Sequence, residues 1–429
     1  MSTTDKPDFF KELQWRGMLH DATPGIEEHL AGGMRTGYIG FDPTAPSMTI
    51  GNFVQIMILS FFQRAGHRPI VLMGGATGRI GDPSGKDKER QLKSFEELDH
   101  NLRHQQKQAE KLLNFEDGPN KAFVVNNIDF YKDMNILTFL RDVGKTLTVN
   151  YMQSKESVKK RIETGISFTE FSYQLLQGYD YQMLFQKHGC TLQMGGSDQW
   201  GNITSGTEFI RKNLEEKAYA ATTPLLTKSD GTKFGKSEAG NIWLDPELTS
   251  PYRFYQYWIN TDDKDLSKLL RYFSFKTQEE ILALEASTDP QSLKRILSEE
   301  LTIRVHSADA YKSVLAVSEL LFNRKASRET LLEMSKADLQ TVAGEITSYE
   351  IKRDLLAGNL NIVDFLTEHT GMLESKGEAR RAIQSQAISI NKEKVTSHED
   401  TIDTDALLHG GYIMVENGKK NKFMVVVNS

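Results

Sequence analysis

RTGYIGFDPTAPSMTIGNFVQIMILSFFQRAGHRPIVLMGG, residues 35–75, is the stretch that decides the fold. Arg35–Asp42 reads as a strand ending in Gly-Phe-Asp-Pro, and Ser47–Ala65 as a helix closed by Gly66. Arg68–Met73 then reads as a buried strand that runs into Gly74 and Gly75. Strand, helix and strand in this order build a parallel sheet. Lys121–Asn126 and Thr191–Met194 look like further strands, so residues 1–225 are expected to form a Rossmann-like parallel α/β domain. Farther on, Leu266, Leu269, Leu270 and Phe273 fall at i, i+3, i+4 and i+7, the stripe of an amphipathic helix. Residues 246–325 are therefore expected to be helical, 326–345 a polar connector with one helix, and 346–429 a small α+β domain.

Composition narrows the function. With 429 residues the chain has room for several domains. Its 52 basic and 58 acidic side chains leave a net charge of −6, which excludes a chain that coats nucleic acid through bulk charge. Any polyanion site must be a local cluster of Lys and Arg. The single cysteine, Cys190, excludes an intramolecular disulfide and a cysteine-rich zinc site, and points to a reducing compartment. Met1–Asp5 lacks a basic, apolar targeting pattern. The best apolar run, Phe53–Phe62, is too short to span a bilayer and contains Gln55. A soluble, cytoplasmic protein is expected.

Two glycine-rich stretches fail the usual nucleotide fingerprints. Gly74-Gly75-Ala76-Thr77-Gly78-Arg79-Ile80-Gly81 follows a strand but has the wrong glycine spacing for a dinucleotide loop. Gly81-Asp82-Pro83-Ser84-Gly85-Lys86 is one residue short of a P-loop, with Asp87 where Ser or Thr should stand. Alone, each reads as a surface turn. Three other segments shift that weighting. In FDPTAPSMTIGNF, residues 41–53, Gly51 lets a ligand approach a helix start whose free N–H groups favour an anion. In KFGKS, residues 233–237, Lys233 and Lys236 flank Gly235, which suits a mobile loop (226–245) gripping phosphates. In GGSDQWGN, residues 195–202, a turn after a strand brings backbone and the Asp198 carboxylate to the crevice at the sheet's C-terminal edge.

These segments resemble the two signature motifs of class I aminoacyl-tRNA synthetases, and specifically the bacterial tyrosyl-tRNA synthetases. GFDPTA, GGATGRIGDPSGK, ISFTEFSYQLLQGYD, QMGGSDQWGNI and KFGKS occur here in that family's order, across nearly the whole chain. The resemblance implies an ATP-dependent ligase that makes tyrosyl-adenylate and then charges tRNA(Tyr), with Mg2+ accompanying ATP and no resident metal site. It implies that Lys86, Arg90, Lys233 and Lys236 hold pyrophosphate oxygens, and that Thr44 and Thr49 bond the γ-phosphate. Asp198 and the Gly196 backbone would bind ribose, with Gln199 near the carboxylate and α-phosphate. Gly40, Asp42 and Gly51 complete the implied ATP subsite. Tyr38 and Asp180 would contact the phenol hydroxyl, and Asp82, Tyr173 and Gln177 the ammonium group, with Gln193 in the same pocket. Tyr173, Gln177 and Asp180 stand at i, i+4 and i+7, one face of a helix. The plainer reading of each, a solvated charge or a buried rim, would be preferred without the family match.

The chain departs from the family at Thr49-Ile50-Gly51-Asn52, where relatives carry histidines, and at Ile39, where many place a cysteine. Thr49 and Asn52 can hydrogen-bond but carry no imidazolium charge. The C-terminal region resembles the small RNA-binding module of the same enzymes. There Ser375 and Glu378 read as a capping box, Ala379, Ala382 and Ile383 as a buried face, and Arg380, Arg381, Lys419, Lys420 and Lys422 as the RNA-facing charges. A homodimer formed through residues 130–165 is implied by resemblance alone. The alternatives are a tryptophanyl enzyme, which Tyr38 with Asp180 argues against, and an RNA-binding splicing protein that kept the scaffold without catalysis.

Overall fold

The computed structural model describes residues 6–85, 91–232, 234–237, 240–323, 326–418 and 421–428. The 35–75 stretch folds as strand β1 (Thr36–Phe41), helix α1 (Ile50–Arg64) and strand β2 (Arg68–Met73). Ten of the fifteen α1 side chains are buried, so the helix is core almost all round. The chain continues through α2 (Phe95–Leu112), β3 (Phe123–Asn126), α3 (Phe168–His188), β4 (Cys190–Gly196), α4 (Trp200–Leu214) and β5 (Tyr219–Thr223). The strands form one parallel sheet in the order β3-β2-β1-β4-β5. The order reverses between β1 and β4, which opens a crevice at their C-terminal ends. Tyr38 and Gln193 face each other across that pair.

The chain divides into two compact units, one of residues up to 249 with 256–305, the other of 250–255 with 306–428. The helices of the 246–325 stretch are thus shared between the units. The 266–273 stripe is the buried face of α5 (Asp263–Phe273), and Phe273 stacks on Phe53 of α1 at 5.4 Å. Arg304 donates to the Phe273 carbonyl and Arg16 to the Ser274 carbonyl, which satisfies the C-terminal end of α5.

The second unit begins with α6 (Ala308–Phe322) and α7 (Lys336–Glu345). Its five-stranded sheet uses β6 (Thr347–Lys352), β7 (Ile388–Ile390), β8 (Glu393–Lys394), β9 (Tyr412–Asn417) and β10 (Asn421–Asn428), in the order β8-β7-β9-β10-β6. Helix α8 (Lys376–Gln384) buries Ala379 and Ile383 against Phe365, Val415 and Val425. Only half of the expected capping box forms. Ser375 accepts the Glu378 N–H, but the Glu378 carboxylate takes the Glu374 N–H instead. Among the described residues, no helix is long and apolar enough to cross a membrane.

Candidate active site

The glycines after β2 serve close packing. A Cβ on Gly74 would stand 2.0 Å from Asp42 Oδ1, so only glycine lets the β1 and β2 ends approach this closely. The Asp42 carboxylate accepts from Thr77 Oγ1 at 2.6 Å and from Tyr173 OH at 2.8 Å. Tyr173 is expected from the sequence at an ammonium group; in the structure its hydroxyl gives its proton to Asp42, which leaves the oxygen able to accept from such a group.

A cavity of about 260 Å³ opens at the β1/β4 crevice. It is lined by Tyr38, Gly40, Asp42, Thr44, Asn52, Asp82, Tyr173, Gln177, Asp180, Gln193, Gly196, Asp198 and Gln199, so most of the residues singled out in the sequence meet there. At its deep end lie Tyr38 and Asp180, both fully buried. The Tyr38 hydroxyl has no hydrogen-bond partner. Burial pushes its pKa well above the usual phenol value, so it stays a donor. Asp180 accepts from Tyr131 OH at 2.7 Å and Asn127 Nδ2 at 2.8 Å. Burial nevertheless outweighs these donors, and the carboxyl is raised to about 7. Gln177 Oε1, Gln193 Oε1 and Gln55 Oε1 are further buried acceptors without partners. Such groups are costly when empty and call for a polar ligand.

Sequence reasoning misses Asn127, Tyr131, Thr77 and Gln55. The available signal is the polar Asn126-Asn127 pair at the end of a strand, where the sheet's C-terminal edge must lie.

At the other end of the cavity the two signature segments touch. Gly235, at φ +87°, is placed so that a Cβ would lie 3.5 Å from the Gly51 N, and Ile50 N donates to Ile242 O. Phe234 anchors this loop against Phe273, Tyr257 and Trp258. Thr49 and Asn52 turn toward each other: Asn52 Oδ1 receives the Thr49 N–H at 3.0 Å and the Thr49 hydroxyl at 2.9 Å, a capping box for α1. Asn52 lines the cavity; Thr49 and Gly51 do not. Lys86, Arg90 and Lys233 lie outside the described residues, and Lys236 is described in its backbone alone, opening the short strand Lys236–Ser237.

In the second unit, Arg380 and Arg381 are exposed on α8, as expected. Lys419 and Lys420 lie outside the described residues. Lys422 is half-buried, and its ammonium donates to the Leu320 carbonyl and, at 3.0 Å, to that of Leu321, capping the C-terminal end of α6. Cys190 is fully buried and burial pushes its thiol up, so it packs and does not react.

Known proteins resemble this chain. A family model described as tRNA synthetases class I (W and Y) matches residues 34–323. A second, described as the tyrosine–tRNA ligase SYY-like C-terminal domain, matches residues 338–425. The chain is 50% identical over 429 residues to a tyrosine–tRNA ligase of Porphyromonas gingivalis, covering 98% of this chain and 100% of that one. It is 51% identical over 427 residues to one of Cytophaga hutchinsonii, covering 98% and 100%. Among solved structures it is similar to a C-terminally truncated mitochondrial tyrosyl-tRNA synthetase of Aspergillus nidulans, with a TM-score of 0.67 and 29% identity, covering 74% of this chain and 95% of that one.

Proposed function

This chain belongs to the class I tRNA synthetases of the tryptophan and tyrosine type, and on that footing we propose that it is a tyrosine–tRNA ligase. The observation that carries the substrate assignment is the pairing of an unpartnered buried phenol donor, Tyr38, with a buried carboxylate, Asp180, in one cavity. A phenol hydroxyl accepts from the first and donates to the second. A plain benzyl group offers neither interaction, and an indole, which only donates, leaves the Tyr38 hydroxyl without an acceptor. Amino-acid activation in the purified protein tests the assignment directly.

In the first step the tyrosine carboxylate attacks the α-phosphorus of ATP and pyrophosphate leaves. In the second, a ribose hydroxyl at the 3′ end of tRNA(Tyr) attacks the adenylate carbonyl and AMP leaves. Neither step needs a nucleophile from the protein, so catalysis is positioning plus stabilisation of developing charge. Asp82, Tyr173 and Gln177 take the substrate ammonium, Gly196 and Asp198 the ribose, and Gln199 the carboxylate and α-phosphate. Thr44 and Asn52 face the phosphates, and Thr49 holds Asn52. Lys86, Arg90, Lys233 and Lys236 hold the pyrophosphate oxygens. Mg2+ would screen the phosphate charge. The cation is proposed to travel on ATP.

Tyrosine affinity should depend on pH through Asp180. Its carboxyl is raised to about 7, and only the ionised form accepts the phenol proton as a charged partner. Below pH 7 binding must first remove a proton; above it the cost disappears. The KM for tyrosine should therefore fall as pH rises through about 7, and Asp180→Asn should flatten the profile. A wild-type KM that is constant from acid to mildly alkaline pH would contradict the role given to Asp180.

Exposed Ile136, Leu137, Leu140, Val149 and Phe168 lie in and beside the 130–165 segment, and a second copy of the chain is proposed to cover them. The second unit is proposed to hold tRNA through α6 and α8, with Arg380 and Arg381 on the phosphate backbone, in the cytoplasm. Helix α7 packs on β10, with Leu339 and Val342 fully buried. A cut at Glu345 would uncover them and one at Asn323 would strip α6 of the α7 it packs on, so the informative truncation ends at Val305, the edge of the first unit. That protein should keep tyrosine-dependent ATP–pyrophosphate exchange, raise the KM for tRNA by about tenfold or more, and lose much of its salt dependence. Unchanged tRNA charging at physiological salt would contradict the second unit's role.

A further inference from the structure

Behind the cavity wall lies a polar side chain to which neither the family motifs nor the proposed reaction gives a role. Asn202 stands in the first turn of α4, is 2% exposed, and does not line the cavity. Its Nδ2 lies 3.3 Å from Asp82 Oδ1, 3.2 Å from Ser84 Oγ and 3.3 Å from Gln199 Oε1. Gln199 Nε2 in turn donates to Asp82 Oδ2 at 2.6 Å, and Ser84 N to Asp82 Oδ1 at 2.9 Å. Both oxygens of Asp82 are thus occupied, and the amide proposed to serve the reacting carboxylate is held against it.

A substrate ammonium changes this balance. It is a charged donor, and charge-assisted hydrogen bonds are roughly twice as strong as neutral ones. It therefore displaces the neutral Gln199 amide from Asp82 Oδ2. Asn202 still holds Gln199 by its Oε1, so the freed Nε2 swings about a fixed oxygen toward the carboxylate end of the substrate. Asn202 keeps its bond to Asp82 Oδ1 throughout, which fixes the direction in which Oδ2 points.

We propose that Asn202 is a positioning residue of the activation step: it aims Asp82 at the substrate ammonium and serves as the pivot on which Gln199 is released. The inference rests on the tyrosine reading, but its test separates the two. Equilibrium binding to the full-length protein is measured for tyramine, which has the phenol and the ammonium, and for 3-(4-hydroxyphenyl)propionate, which lacks the ammonium. Asn202→Ala removes the side chain; Asn202→Leu keeps its approximate shape and removes only the hydrogen bonds.

Both variants should weaken tyramine binding about tenfold or more, the low end for loss of support to a charged hydrogen bond. Binding of the propionate should be unchanged, which also shows that the pocket is folded. Equal weakening of both ligands, or no weakening of tyramine, overturns the proposal. If the wild type binds neither ligand, the tyrosine assignment itself fails, independently of Asn202.

Discussion

Asp180→Ala is expected to erase most of the discrimination between tyrosine and phenylalanine, by at least about 10²-fold in relative kcat/KM. A site built for a hydroxyl rejects the analogue without it because its buried groups stay unpaired. In this chain the group that would stay unpaired is the Tyr38 hydroxyl, which has no protein partner, while the Asp180 carboxylate, raised to about 7 despite two donors, would lose a third. Tyrosine-specific synthetases are themselves the known case of this selectivity, at about 10⁵, and that established scale sets the upper limit of the effect. Removing Asp180 lets water or the Tyr131 and Asn127 donors rearrange, so a bare benzyl ring no longer strands a charge. Activation rates for both amino acids, measured side by side, decide it. An unchanged tyrosine-to-phenylalanine ratio would show that specificity resides elsewhere.

Lys233→Ala and Lys236→Ala should slow adenylate formation by about 10²–10³ each, with little change in tyrosine affinity. Their charge matters where pyrophosphate develops, not where the amino acid sits. The loop's anchoring supports this division. Phe234 is buried in an aromatic cluster while Gly235 lies against the start of α1, so the backbone between the lysines is held beside that helix N-terminus. Pre-steady-state formation of the adenylate separates rate from affinity. A normal activation rate with weakened tyrosine binding would contradict the assignment.

The parts of this protein legible in the sequence are those governed by local pattern. Buried strands bounded by glycine mark β1, β2 and β4, and period-3.6 spacing marks the buried face of α5 and the shared face of Tyr173, Gln177 and Asp180. The residues that escape such a reading depend on contacts between distant segments. Asn127 and Tyr131 reach Asp180 only because β3 pairs with β2, a juxtaposition that no spacing encodes. Thr49 and Asn52 look like phosphate donors in the sequence, but at i and i+3 across a helix start they first satisfy each other. The usual capping-box pattern has Glu or Gln at the second position, so Asn gives no warning. Lys422 escapes for a related reason: a charge count cannot distinguish a lysine facing solvent from one that neutralises the exposed carbonyls of a helix end.

If the cavity at the β1/β4 crevice activates tyrosine, ATP–pyrophosphate exchange with each of the twenty amino acids offered separately will reveal it without any contribution from tRNA. Exchange should then depend on tyrosine, with phenylalanine and tryptophan at background. Exchange driven by tryptophan or another amino acid, or none with tyrosine in a folded protein, would contradict the assignment.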